Sequence, residues 1–184
     1  TMSINYSAQV LCSLELPEVL SETLTSSGLE PHHIIIEVTE SSLAQDMSIT
    51  LDILTRMRLK GFGLSIDDFG TGFSSLEQLK QIPFTELKID RSFVHQANQN
   101  QSSLAILESS IALSKRLGIH CIAEGVETTE HGLMLLKMGC DAAQGYGIAR
   151  PMPAAQLPAW LDNYTPNQQW LDSSIKLSKN ADTN

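Results

Sequence analysis

The sequence predicts an α/β fold, and more narrowly a TIM-like (β/α) barrel. Three observations carry this. Short β-branched runs alternate with longer helical stretches along the chain. Glycines punctuate the ends of the helical stretches, where a left-handed cap is wanted. Nearly every predicted strand runs apolar and then ends in a residue able to do chemistry. Strict β-then-α alternation implies parallel strands joined by crossover helices.

Candidate strands are Ser3–Asn5, Ile34–Val38, Leu64–Asp67, Glu86–Ile89, His120–Ala123 and Ala142–Tyr146. Helical stretches run over Leu16–Ser27, Met47–Leu59, Ser75–Gln81, Ser102–Leu117, Glu130–Met138 and Pro153–Asp162. The longer ones place apolar residues three and four apart, as in Leu51, Leu54 and Met57, or Leu104, Leu107 and Ile111. Gly28, Gly61, Gly118 and Gly139 follow the helices. After Asp162 the composition turns polar. Residues 163–184 read as a tail or linker with Trp170 and Leu171 as its bulky anchors, a docked terminal segment being the less favoured alternative.

The mean spacing of the strand centres is about 28 residues, so eight units would take about 224, near the roughly 250 of a complete (β/α)₈ barrel. Six of the eight units fit in this chain, and the expectation is that two precede residue 1. Residues 1–162 then form the C-terminal three-quarters of the barrel. A doubly wound sheet fits less well. Its function gathers at one switch point, and Gly70-Thr71-Gly72-Phe73-Ser74-Ser75 lacks the third glycine of a dinucleotide-binding turn.

Composition bounds the function. The 184 residues carry 21 acidic against 12 basic side chains, a formal net charge of -9, which disfavours binding to the phosphates of DNA. No apolar run is long enough to cross a bilayer. Cys12, Cys121 and Cys140 form no C-x-x-C pair and read as small buried hydrophobes in a reducing cytoplasm.

The strand ends supply the candidate site. Asn5, Glu37, Asp67, Asp68, Lys88, Glu124 and Gln144 all follow apolar runs, and in a barrel the C-terminal strand ends form one ring. Converging carboxylates repel one another unless a cation sits between them, and all-oxygen donors suit Mg²⁺ or Mn²⁺. Lys88 would orient a water, meet phosphate charge, or act as a base if crowding lowered its pKa. Asp90 can share a face with Lys88. Asp67 through Ser75 reads as a loop with two glycines, closed by hydroxyls able to cap the next helix. Glu40 is the residue placed to restrain it. A phosphate-handling aldolase would need a Schiff-base lysine, and the carboxylates around Lys88 disfavour that.

Six motifs in order, Asn5-Tyr6-Ser7, Glu37-Val38-Thr39-Glu40-Ser41, Asp67-Asp68-Phe69-Gly70-Thr71-Gly72-Phe73-Ser74-Ser75, Leu87-Lys88-Ile89-Asp90, Ala123-Glu124-Gly125-Val126-Glu127 and Gln144-Gly145-Tyr146, closely resemble the EAL-domain family of bacterial cyclic di-GMP phosphodiesterases. The resemblance covers about residues 1–162. It implies an EAL-type barrel that hydrolyses cyclic di-GMP to the linear dinucleotide pGpG with Mg²⁺ or Mn²⁺, two ions in a complete barrel. By matching motifs it makes Asn5, Glu37, Asp67, Asp68 and Glu124 metal ligands. Lys88, Glu124 and Gln144 become the groups around water and substrate, Glu40 the loop anchor, and Asp90 and Glu127 outer partners. The Glu-Ala-Leu strand that names the family does not occur here, which matches the two units missing from the count. The expectations that follow are a cytoplasmic module, tethered to the inner membrane if upstream domains span it, with a regulatory domain upstream. Its unpaired edges would drive homodimers or other oligomers. A catalytically inactive cyclic di-GMP receptor or protein-interaction module is the alternative.

Overall fold

The computed structural model describes residues 1–7, 9–44, 47–72 and 76–181, without the side chains of residues 44, 76–78 and 178–181. Six strands form one parallel sheet: β1 (Met2–Tyr6), β2 (Ile34–Thr39), β3 (Gly63–Phe69), β4 (Glu86–Ile89), β5 (His120–Ala123) and β6 (Ala142–Ala143). Their order in space is their order in sequence, with every neighbour parallel. A doubly wound sheet would reverse direction after its first strands, and this one does not. The winding is that of a barrel wall, six strands long, with β1 and β6 at its edges.

Eight helices accompany the sheet among the described residues: α1 (Leu16–Ser26), α2 (Met47–Leu59), α3 (Leu76–Gln81), α4 (Arg91–Gln96), α5 (Gln101–Leu117), α6 (Thr129–Met138), α7 (Leu157–Asn163) and α8 (Gln168–Ala181). α2 buries Thr50, Ile53, Leu54 and Met57, one stripe at three- and four-residue steps. α5 begins where Asn100 accepts hydrogen bonds from the Ser102 and Ser103 amides. It ends at Gly118, whose φ of 68° is the left-handed cap the sequence called for.

The two faces of the sheet differ sharply. Ile36, Val38, Leu64, Ile66, Leu87, Ile89, Cys121 and Ala123 are buried and join Ile53, Leu54, Met57, Leu107, Ile111 and Leu135 of the helices in one apolar core. The alternate residues Glu37, Ser65, Glu86 and Lys88 point the other way, and they too are buried. Apolar packing therefore lies outside the curve of the sheet, while its concave face is polar.

Three elements differ from the sequence reading. β6 stops at Ala143, because at Gly145 the chain comes so close to Val126 that a Cβ would lie 2.3 Å from its backbone. Arg91–Gln96 is helical, started by Asp90, whose carboxylate accepts from the Ser92 amide at 2.9 Å. The expected capping by Ser74 and Ser75 falls outside the described residues. Most clearly, the polar tail contains a docked helix. Trp170 of α8 donates its indole N–H to the Thr129 carbonyl at 2.9 Å, and Asn167 donates to the Thr129 hydroxyl at 2.9 Å. Gly132 makes room, since a Cβ there would lie 2.4 Å from the Trp170 ring. A flexible end is thus corrected to a docked helix, held to α6 through Trp170 and, just ahead of α8, Asn167. Trp170→Ala should cost about 2 kcal/mol in a urea titration, with loss of helical ellipticity that a surface change such as Lys176→Ala does not produce.

Candidate active site

Lys88 organises the site. It projects from β4 onto the polar face, 3% exposed, and an ammonium so buried costs several kcal/mol unless carboxylates surround it. Three do. Its Nζ lies 2.6 Å from Glu124 Oε1, 3.2 Å from Glu37 Oε1 and 3.3 Å from Asp67 Oδ1. These come from β2, β3, and the residue just past β5, where the Glu124 amide continues the ladder by donating to the Ile89 carbonyl at 3.0 Å.

Asp67 and Asp68 are consecutive, so regular alternation would send them to opposite faces. The backbone solves this. The β3–β4 register breaks between Ile66 and Phe69, and Asp68 adopts φ 55°, the one left-handed non-glycine among the described residues. Such a bulge re-aims a side chain at a modest cost in strain. Carboxylate oxygens of Asp67, Asp68 and Glu124 then all lie within 4.8 Å of one another. The loop beyond is tied down from below: Glu40, 5% exposed, accepts the amides of Gly70 at 3.1 Å and Gly72 at 2.9 Å through Oε2. Gly72 has no room for a side chain without displacing Glu40, as a Cβ would sit 3.1 Å from its carboxylate.

The remaining candidates are placed less centrally. Asn5 stands opposite Glu37 in the β1–β2 register, on the edge strand and exposed. Asp90 caps α4, and its charge still reaches Asp68. Glu127 is exposed, 3.8 Å from His95 Nε2. The Gln144 side chain is exposed while its backbone braces the Glu124 turn, donating to Ala123 O at 2.9 Å and accepting from Val126 N at 3.0 Å. Sequence reasoning missed two features. Ser65 and Glu86 lie buried on the same face, where burial lifts the Glu86 carboxyl above the usual carboxylate range, and their two-residue spacing from Asp67 and Lys88 was the available signal. His95 Nε2 sits 2.8 Å from the Gly125 carbonyl, beside Glu124, and no local pattern announces a contact across thirty residues.

Electrostatics follow from this crowding. Burial opposes the Lys88 charge, yet the hydrogen bond to Glu124 and the charges of Glu124, Asp67 and Glu37 outweigh it, and the ammonium is held above its ordinary value. Lys88 is therefore a fixed cation at neutral pH, which removes the expectation that it could serve as a base. Burial lifts the Glu124 carboxyl; Lys88 pulls it down, Asp67 and Glu37 push it up, and it ends above the usual carboxylate range. Asp68 is raised by burial, then by the charges of Asp67 and Asp90. Three close, hard oxygen donors next to further carboxylates fit a hard divalent cation, with the ammonium as the neighbouring fixed charge.

The fold, the ordered motifs and this ring meet in one family model, the EAL domain, which matches residues 1–151. The chain belongs to the EAL domain family. It is 42% identical over 158 residues to the bifunctional diguanylate cyclase/cyclic di-GMP phosphodiesterase MucR of Pseudomonas aeruginosa, covering 86% of this chain and 23% of that protein. It is 41% identical over 152 residues to the cyclic di-GMP phosphodiesterase RocR of the same organism, covering 83% of this chain and 39% of RocR. This EAL chain thus spans about a quarter to two fifths of those relatives. Its structure superposes on the PaMucR phosphodiesterase in its c-di-GMP complex with a TM-score of 0.80 at 42% identity, over 84% of this chain and 63% of the other. It also matches Klebsiella pneumoniae BlrP1 in a manganese/cy-diGMP complex with a TM-score of 0.75 at 31% identity, over 81% and 38% of the two chains.

The Lys88 cage predicts a pH signature in metal-free protein. Because folding raises this ammonium's pKa, its stabilisation is complete below the unfolded value of 10.5 and is lost as pH climbs from there through the folded value. Lys88→Met, which leaves three carboxylates facing one another, should cost about 3 kcal/mol at neutral pH. Chemical denaturation from pH 7 to 12 should show the gap between wild type and variant narrowing above pH 10.5; a constant gap contradicts the cage.

Proposed function

We propose that the EAL chain is the catalytic module of a phosphodiesterase that hydrolyses cyclic di-GMP to linear pGpG, using Mg²⁺ or Mn²⁺. The observation that carries this is the Lys88 ammonium ringed by Glu37, Asp67 and Glu124. A receptor that had given up hydrolysis would have no need of a cation held buried beside so many converging acids. The relatives named above, one solved with c-di-GMP and another with manganese as well, support the same substrate and metal class.

In this reading Glu37, Asp67, Asp68 and Glu124, with the Asn5 amide oxygen, hold the divalent cations. The metal, when bound, supplies Lewis-acid charge at the phosphate and a water nucleophile at neutral pH. The protein's own groups do the rest. Lys88 keeps its proton, so it acts by charge, facing the phosphate oxygens and orienting the attacking water. Glu124, a stronger proton acceptor than an ordinary carboxylate, takes the water proton. Glu40 fixes the Asp68 loop through the Gly70 and Gly72 amides. Gln144 stands at the substrate side of the Glu124 turn, and Asp90 and Glu127 steady the surroundings.

Self-association and a cytoplasmic setting belong to the same proposal. β1 and β6 each present an unpaired edge among the described residues, which favours pairing with another copy. No described helix is long and apolar enough to cross a membrane.

Two measurements check the reading. With Mn²⁺ and cyclic di-GMP, chromatography should show pGpG formed by the whole protein that contains this module, and Glu37→Ala should lower turnover on the order of 100-fold or more; tight binding without turnover would make it a receptor. Sedimentation equilibrium of the 184-residue chain should give a mass above the monomer's, and a monomer at high concentration would remove edge pairing.

A further inference from the structure

Away from the carboxylate ring, on the helix-facing side of the sheet, two thiols meet. Cys121 Sγ and Cys140 Sγ lie 3.9 Å apart. Cys121 is fully buried on β5, and Cys140 is half-buried just before β6. Their backbones are already aligned. The β5–β6 register pairs Ile122 with Ala142, and the Cys121 amide donates to the Asp141 carboxylate at 2.8 Å. A disulfide joins Cα atoms about 4.4–6.8 Å apart, a range that includes the spacing of about 4.8 Å between neighbouring strands.

The sulfurs need to close by about 1.9 Å to bond, a movement that side-chain rotation supplies. Cys140 also lines a cavity of about 210 Å³, walled by Val126, Leu135, Ala143, Tyr164 and Trp170. A small oxidant can therefore reach a thiol without the sheet opening. Cys12, by contrast, is exposed and stands apart in the sequence reading of three buried thiols.

We propose that Cys121 and Cys140 are a modification site, joined reversibly as a disulfide by a hydroperoxide such as hydrogen peroxide. Cys140, on the cavity wall, attacks the peroxide; the O–O bond breaks, giving a sulfenic acid and one water. Cys121 then attacks the Cys140 sulfur, an S–S bond forms, and the departing hydroxide leaves with the remaining thiol proton as a second water. Two electrons pass from the thiols to the peroxide. The hydrogen bond from Cys140 favours the Cys121 thiolate, lowering that thiol, while the same bond and burial raise Cys140.

The bond would close a loop over residues 121–140, which contains Glu124 and the whole of α6. It would also staple β6, a two-residue edge strand, to β5, its one neighbour in the sheet among the described residues. The proposal is independent of the hydrolytic reading, since neither cysteine belongs to the ring.

The test uses the 184-residue chain, treated with hydrogen peroxide, alkylated and cut with trypsin. Cleavage after Lys137 separates Cys121 from Cys140, and Arg150 is shielded by Pro151, so a bond shows as a linked pair of peptides, 117–137 with 138–176. The expected result is that linked pair, released by dithiothreitol and absent in Cys121→Ser and Cys140→Ser, with a rise in Tm on the order of 5 °C in the oxidised wild type. Both cysteines remaining alkylated, oxidation confined to Cys12, or bonds formed solely between chains would overturn it. So would an intramolecular bond that leaves Tm unchanged.

Discussion

One buried ammonium determines how the concave side of this protein is built. Lys88 is enclosed on the polar face of a sheet whose other face carries the hydrophobic core. In that position a lone charge is intolerable, and a lone carboxylate beside it would be scarcely better. The structure answers with three acids from separate parts of the chain, each at hydrogen-bond or ion-pair distance. The pair logic runs both ways: the carboxylates need the cation as much as it needs them. The excess of negative charge remains around Asp67, Asp68 and Glu124, whose carboxylate oxygens come within 4.8 Å of one another.

The loop that presents Asp68 shows how the backbone serves this arrangement. A left-handed residue and a broken register turn consecutive aspartates toward one place. Glu40 then holds the following glycines by accepting their amides, spending a buried carboxylate on position rather than on chemistry. Geometry at this end of the sheet is therefore set by main-chain groups, and the charged side chains inherit it.

Much of this was legible in the sequence, for identifiable reasons. Strands such as Ile34–Thr39 and Glu86–Ile89 announce themselves because β-branched runs end in polar residues, and α2 because its buried stripe repeats at helical intervals. Glu37, Asp67, Lys88 and Glu124 were legible as a ring because a parallel wall puts all strand ends on one side. What escaped depends on tertiary contacts. α4 is too short for periodicity to reveal, and it depends on its Asp90 cap. α8 is polar by composition and is held by a Trp170 hydrogen bond to a helix some forty residues earlier. The Asp68 turn needed a bulge that no residue type encodes, and the nearness of Cys121 to Cys140 needed the β5–β6 register.

The sequential order of the sheet has its own consequence for assembly. Every strand pairs with the one before and after it in the chain, so most contacts are made between neighbours and can form as the wall lengthens. The cage of Lys88 is different, because it gathers side chains from residue 37 to residue 124. It exists only when four consecutive strands hold their register together. A slip of one residue in any of them would turn an acid toward the hydrocarbon core and an aliphatic side chain toward the ammonium. The charged cluster thus adds to the penalty that the apolar face already places on misregistered strands, because it demands particular acids at particular strand positions.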